Sequence, residues 1–171
     1  MRIAFFFLIL FIFSDCSLQS RTNLIDTSLG ESAITTIYLV RHAEKEKDGT
    51  RDPALNEEGI VRSEQLAKLL TTANIQNIYS TDYKRTRMTG MPLADQLDES
   101  IEIYSNEDEM MAILDTMTEN TLIIGHSNTI PRLINRLLGE QRLADLKEYE
   151  YDKLFFLEKE GETYRLTTES F

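Results

Sequence analysis

Two apolar, β-branched runs constrain this chain most: residues 34–40 (Ile-Thr-Thr-Ile-Tyr-Leu-Val) and residues 120–125 (Asn-Thr-Leu-Ile-Ile-Gly). The first carries apolar side chains without alternating sides, the pattern of a strand buried on both faces, and the second reads as a strong central strand. Segments with helical period lie between and after them. Asn56 can cap a helix with Glu57 and Glu58 in its first turn. That helix would carry Ile60, Ser63, Ala67 and Leu70 along one face, widened by Leu66 and Leu69, and end near Thr72.

A short strand at 77–79 runs into Ser80-Thr81-Asp82, which can cap a second helix to about Leu97. Residues 101–104 read as a strand, Asn106 opens an acidic helix, and a helix from about Asn128 is stopped by Gly139. Residues 154–158 and 164–168 read as a closing hairpin. Strands alternating with helices predict an α/β fold, a three-layer α/β/α sandwich with a mostly parallel central sheet. At 171 residues there is room for one such domain, spanning 34–171.

The N-terminal part reads differently. Arg2 precedes an unbroken apolar run of 11 residues, 3–13. A bilayer-spanning helix takes about 20, whereas a secretory signal needs only a run of this length. Cys16 follows directly, placed as in a bacterial lipoprotein signal, although Asp15 stands where a small residue is usual. Residues 1–16 are therefore expected to be a signal peptide, with lipidation of Cys16, ordinary cleavage and an uncleaved anchor as the alternatives. Residues 17–33 read as a tether. The expected location is exported, periplasmic or cell-envelope, with membrane attachment through a lipidated Cys16. One cysteine allows no intrachain disulfide. The net charge of −11 argues against a nucleic-acid partner, and it makes arginines gathered around a site notable.

Such a gathering is visible at the strand exits, where open α/β sheets handle ligands. The chain has only two histidines, and each ends a predicted strand. Arg41-His42 offers a guanidinium fork for phosphate oxygens and a neutral imidazole able to attack phosphorus. Arg85 falls in the first turn of a helix, where backbone N–H groups favour anions. Gly125-His126-Ser127 again lies between strand and helix, and a protonated His126 would stabilise charge on the equatorial oxygens. Taken singly, each segment is as readily a surface or core feature. Their conjunction in order at three strand ends points to a phosphoryl site. No cofactor is implied, and no metal: neither His-x-x-x-His nor a cysteine pair is present.

These motifs carry a resemblance. Arg41-His42-Ala43-Glu44, the block from Ser80 to Thr89 and Gly125-His126-Ser127 are similar to the signatures of the histidine phosphatase superfamily, the phosphoglycerate-mutase-like group. Together with the run from Asp52 to Gly59, they resemble a compact, often exported bacterial branch. Ala43 stands where glycine is commoner, and Thr86 where alanine is. The resemblance implies His42 as nucleophile forming a phosphohistidine, with Arg41, Arg85 and His126 holding the phosphoryl group. Glu44 and Ser127 join them as substrate-binding candidates. No motif marks the proton donor; Glu107, Asp108 and, by proximity to His42, Glu44 are candidates, with Glu44 equally placed to orient an arginine. The expected partner is a phosphorylated small molecule or an exposed phosphate group. The expected function is hydrolysis of phosphomonoesters, metal-independent. The alternatives are a protein phosphohistidine phosphatase and a non-catalytic phosphate-binding envelope protein. A mutase is disfavoured by the short chain and by export.

Overall fold

The computed structural model describes residues 34–161 and 163–171. The expected signal segment, the tether and Cys16 lie outside the described residues. Ten elements follow in chain order: β1 (Thr35–Arg41), α1 (Glu57–Leu70), β2 (Ile75–Ser80), α2 (Lys84–Leu97), β3 (Ile101–Ile103), α3 (Glu107–Thr116), β4 (Asn120–Gly125), α4 (Thr129–Leu138), β5 (Lys153–Glu160) and β6 (Thr163–Ser170). They form a six-stranded sheet in the order β3-β2-β4-β1-β5-β6. β3, β2, β4 and β1 run parallel, β5 is antiparallel to β1, and β6 closes the edge as the hairpin partner of β5. The expected three-layer sandwich is the fold.

The non-alternating runs explain the layers. In β1, Ile37 and Leu39 join one buried cluster with Met110, Leu114, Ile130 and Ile134 from α3 and α4. Tyr38 and Val40 point the other way, into a cluster with Leu66, Leu70 and Leu93 from α1 and α2. Period 2 thus feeds both faces, which is why neither face of the sequence could be polar.

Local signals set most helix starts. The Asn56 side chain accepts from the Gly59 N–H at 2.9 Å, and Asn106 does the same for Glu109 at 3.0 Å. Gly139, at φ +70°, ends α4 as expected. The stripe of α1 needs correction: Ile60 and Leu69 are exposed, and the buried face is Gly59, Ser63, Leu66, Ala67 and Leu70. The cause is a close approach, because a Cβ on Gly59 would stand 2.1 Å from the Glu44 carbonyl oxygen. That contact sets small residues, rather than Ile60, against the rest of the molecule. Neither Ser80 nor Asp82 caps α2. Tyr83 holds the cap position without a side-chain bond, and the distant Asp52 carboxylate accepts from the Lys84 N–H at 2.8 Å.

Register positions the functional ends. β1 and β4 pair in parallel with Arg41 opposite Gly125, so the next residue on each strand is a histidine. The His42 N–H donates to the Gly125 carbonyl at 2.9 Å. β2 lies on the other side of β4 and delivers Thr81 to the same rim, its N–H reaching the Ile124 carbonyl at 3.4 Å. Among the described residues, no helix is long and apolar enough to cross a membrane.

Candidate active site

The three strand exits meet in one open cavity of about 810 Å³, lined among others by Arg41, His42, Arg85, His126, Ser127 and Lys45. The two imidazole rings face each other edge to face, with centroids 5.4 Å apart. His42 is 4% exposed, and its Nδ1 lies 2.8 Å from the Ala43 carbonyl oxygen. A carbonyl only accepts, so Nδ1 carries the hydrogen and Nε2 keeps its lone pair. The Ala43 peptide is fixed in turn, since its N–H donates at 2.9 Å to Thr89 Oγ1, which donates to the Arg85 carbonyl. Burial, and after it the Arg41 and Arg85 charges, pull His42 down to about 3 from the ordinary 6.5, against the Ala43 bond. The ring is therefore neutral at pH 7.

Arg41 is 3% exposed and divided in use. Nη1 donates to the carbonyls of Lys147, Glu148 and Glu150 at 2.8, 3.3 and 3.3 Å, and the guanidinium stacks on Tyr151 at 3.9 Å. Nη2 has only the exposed Glu148 carboxylate at 3.5 Å, and Nε has no partner. Arg85 stacks on Tyr83 at 4.3 Å and meets Asp52 at 3.7 Å, and its Nε is likewise buried without a partner. A buried guanidinium, that of Arg41, and a partly buried one, that of Arg85, thus stand by His42 with only long carboxylate contacts. That surplus of positive charge and unspent donors in an acidic chain suits an incoming oxyanion.

Gly125 is required before His126. A Cβ there would come within 2.8 Å of Thr129 Oγ1, 2.9 Å of Ile130 and 3.0 Å of the Tyr104 hydroxyl. The Thr129 hydroxyl accepts from the His126 N–H at 2.9 Å, and the ring Nε2 lies 3.0 Å from Thr81 Oγ1. Burial first, then Arg85 and Arg41, pull His126 down to about 4. The expectation that His126 carries charge while His42 does not is therefore unmet in the free protein, because burial, and after it the same two arginines, acts on both rings.

The candidate proton donors are not brought to this cavity. Glu107 and Asp108 line an adjoining one and face arginines: Glu107 lies 3.8 Å from Arg132 and 3.9 Å from Arg136, and Asp108 lies 2.8 Å from Arg136. Glu44 turns away to Arg62, which donates Nε to both carboxylate oxygens at 2.9 Å and Nη2 to one at 2.7 Å. The carboxylates that do line the His42 cavity are Asp82 and Glu148, both mostly exposed and paired with Arg87 and Arg41. Sequence reasoning missed Thr81, Tyr83, Tyr104, Tyr151 and Lys45 around the site. Thr81 and Tyr83 sit inside the arginine block and could have been read from it. The 139–152 segment that covers Arg41 carries no periodic signal. Among the described residues, no group of three or more metal-ligating side chains is present.

Residues 37–112 match the model of the histidine phosphatase superfamily (branch 1). Over that stretch the chain resembles the histidine phosphatase superfamily. No curated protein sequence matches it. Among solved structures it is similar to a protein provisionally assigned as phosphohistidine phosphatase SixA from Agrobacterium tumefaciens, with 23% identity and a TM-score of 0.64 over 80% of this chain and 98% of that one. The protein histidine phosphatase SixA complexed with tungstate shares 17% identity at a TM-score of 0.65, over 80% and 97%. Phosphoserine phosphatase from Entamoeba histolytica in complex with 3-phosphoglyceric acid shares 14% at 0.62, over 80% and 98%. At these identities the likeness is one of fold.

Proposed function

We propose that this chain is a member of the histidine phosphatase superfamily and a metal-independent phosphatase that hydrolyses phosphomonoesters through a phosphohistidine on His42. The observation that carries the reading is a neutral imidazole, with Nε2 left with its lone pair, beside the buried Arg41 and partly buried Arg85 guanidinium groups, which lack close carboxylate partners. In the first step His42 Nε2 forms a bond to phosphorus, the P–O bond to the leaving group breaks, and the oxygen leaves with the electron pair. Nε2 is bonded to phosphorus in the intermediate and Nδ1 keeps its proton, so the ring becomes cationic and is held by the Ala43 carbonyl. Water then attacks phosphorus, the N–P bond breaks, and phosphate departs. Arg41, through Nε and Nη2, and Arg85 offset charge on the transferring oxygens, where most of the catalysis of phosphoryl transfer lies.

One observation favours a second reading. The carboxylates lining the cavity, Asp82 and Glu148, are both exposed and both face an arginine. A site without a dedicated acid loses roughly 10²–10⁴-fold on alkoxide leaving groups, but little on a phosphohistidine or an acyl phosphate. Protein phosphohistidine is thus the alternative substrate.

The test is p-nitrophenyl phosphate hydrolysis with EDTA present, alongside His42→Ala. Turnover that survives EDTA and is lost in the variant is expected. Full activity in His42→Ala would overturn the mechanism, and loss with EDTA would overturn metal independence. A phosphohistidine peptide hydrolysed much faster than an alkyl phosphate would select the second reading.

A further inference from the structure

His126 Nε2 lies 3.0 Å from Thr81 Oγ1, and both groups are able to donate or to accept. Thr86 resolves the ambiguity. Its hydroxyl is fully buried and lies 2.8 Å from the Thr81 carbonyl, 2.9 Å from the Tyr83 carbonyl and 3.1 Å from Thr81 Oγ1. Both carbonyls only accept, so the single hydrogen of Thr86 is committed to them. Directing it at Thr81 Oγ1 instead would leave two oxygen–oxygen contacts under 3 Å with no hydrogen between them. In the contact between the two hydroxyls, Thr81 is therefore the donor. With its one hydrogen spent on Thr86, Thr81 offers His126 only a lone pair. The His126 Nε2 must bring the hydrogen.

We propose that Thr86, acting through the Thr81 hydroxyl, is a positioning residue that fixes His126 as the Nε2–H tautomer, opposite to the Nδ1–H tautomer of His42. The facing rings then present one unprotonated nitrogen each, Nε2 on His42 and Nδ1 on His126. The Thr129 hydroxyl accepts from the His126 backbone N–H at 2.9 Å, so the residue is held at its main chain as well as at ring Nε2. In the free protein His126 Nδ1 is thus a hydrogen-bond acceptor, and it is the atom at which the ring gains a proton and becomes a donor to a bound phosphoryl group. That last step rests on the phosphatase reading; the tautomer does not. Alanine at this position, the commoner residue by the resemblance, would leave the Thr81 hydrogen free to turn to His126.

The experiment is long-range ¹H–¹⁵N correlation NMR of the full chain with ring-labelled histidine at pH 7, with no ligand added. Two histidines make assignment direct, and a His42→Asn sample separates them. The wild type is expected to show His126 with a pyrrole-type Nε2 and a pyridine-type Nδ1. Thr86→Ser should keep that pattern, while the near-isosteric Thr86→Val should shift it toward Nδ1–H. An Nδ1–H signature in the wild type would overturn the proposal, as would an unchanged tautomer in a folded Thr86→Val. If valine prevents folding, Thr86→Ala serves in its place, and the wild-type measurement stands alone. In turnover of p-nitrophenyl phosphate, Thr86→Val should lower kcat/KM by about tenfold with recovery in Thr86→Ser. If the tautomer shifts as stated while no form of the protein hydrolyses phosphate esters, the phosphatase reading fails and the proton assignment survives.

Discussion

Burial and the Arg41 and Arg85 charges hold both imidazoles neutral, His42 down to about 3 and His126 to about 4. In the unfolded chain each returns to an ordinary value near 6.5. Between these limits the unfolded state binds more protons than the folded one, so stability rises with pH there and is lost as pH falls below about 6.5. His42 alone should cost about 2 kcal/mol between pH 7.5 and pH 5. Urea midpoints measured at the two pH values should show that loss, and a smaller one in His42→Gln. Equal losses in the two proteins would mean that His42 is not neutral by virtue of its place. The same residue scale accounts for what could be read in advance. Histidine, arginine and the glycine before His126 are each tied to one chemistry or one steric need, so their position in the sequence was informative. The charge state of His126 was not legible, because it depends first on its burial and then on arginines brought to it from α2 and β1.

At the scale of elements, the strand runs and the caps Asn56 and Asn106 were readable because both ends of each interaction lie within one turn. The ties that hold elements to one another were not. Asp52 caps α2 across 32 residues, and Arg62 on α1 grips Glu44 across 18. The Arg62 guanidinium also donates to the Phe171 carbonyl at 2.8 Å, so one side chain ties the segment after β1, α1 and the residue following β6. Glu44 was a proton-donor candidate by its closeness to His42 in sequence, a substrate-binding candidate, and equally a group to orient an arginine. Its orientation toward Arg62 makes it a strap on the loop that follows His42. Glu44→Gln should therefore lower stability by about 1–3 kcal/mol, the cost of leaving a half-buried guanidinium poorly paired. It should leave KM for p-nitrophenyl phosphate unchanged. A raised KM with unaltered thermal stability would return Glu44 to substrate binding.

For the molecule as a whole, the decisive feature is that a single strand belongs to two cores. β1 sends Ile37 and Leu39 to one cluster, and Tyr38 and Val40 to the other. Neither layer can dissolve without stripping the strand that the other is packed on. The site, too, is shared: its histidines hang from β1 and β4, and Arg85 comes from α2. The two faces should therefore unfold as one cooperative unit. Tyrosine provides the probes, since the chain has no tryptophan and places Tyr104 in one cluster and Tyr38 in the other. Near-ultraviolet circular dichroism of Tyr38→Phe and Tyr104→Phe, compared with the wild type, separates the two signals in urea. Coincident loss of both, together with the far-ultraviolet signal, is expected. Phosphate at a hundred times its dissociation constant should delay every probe equally, by about 2.7 kcal/mol. Two separated transitions, or an anion that protects only one face, would mean that the layers are independent and that the site belongs to one of them alone.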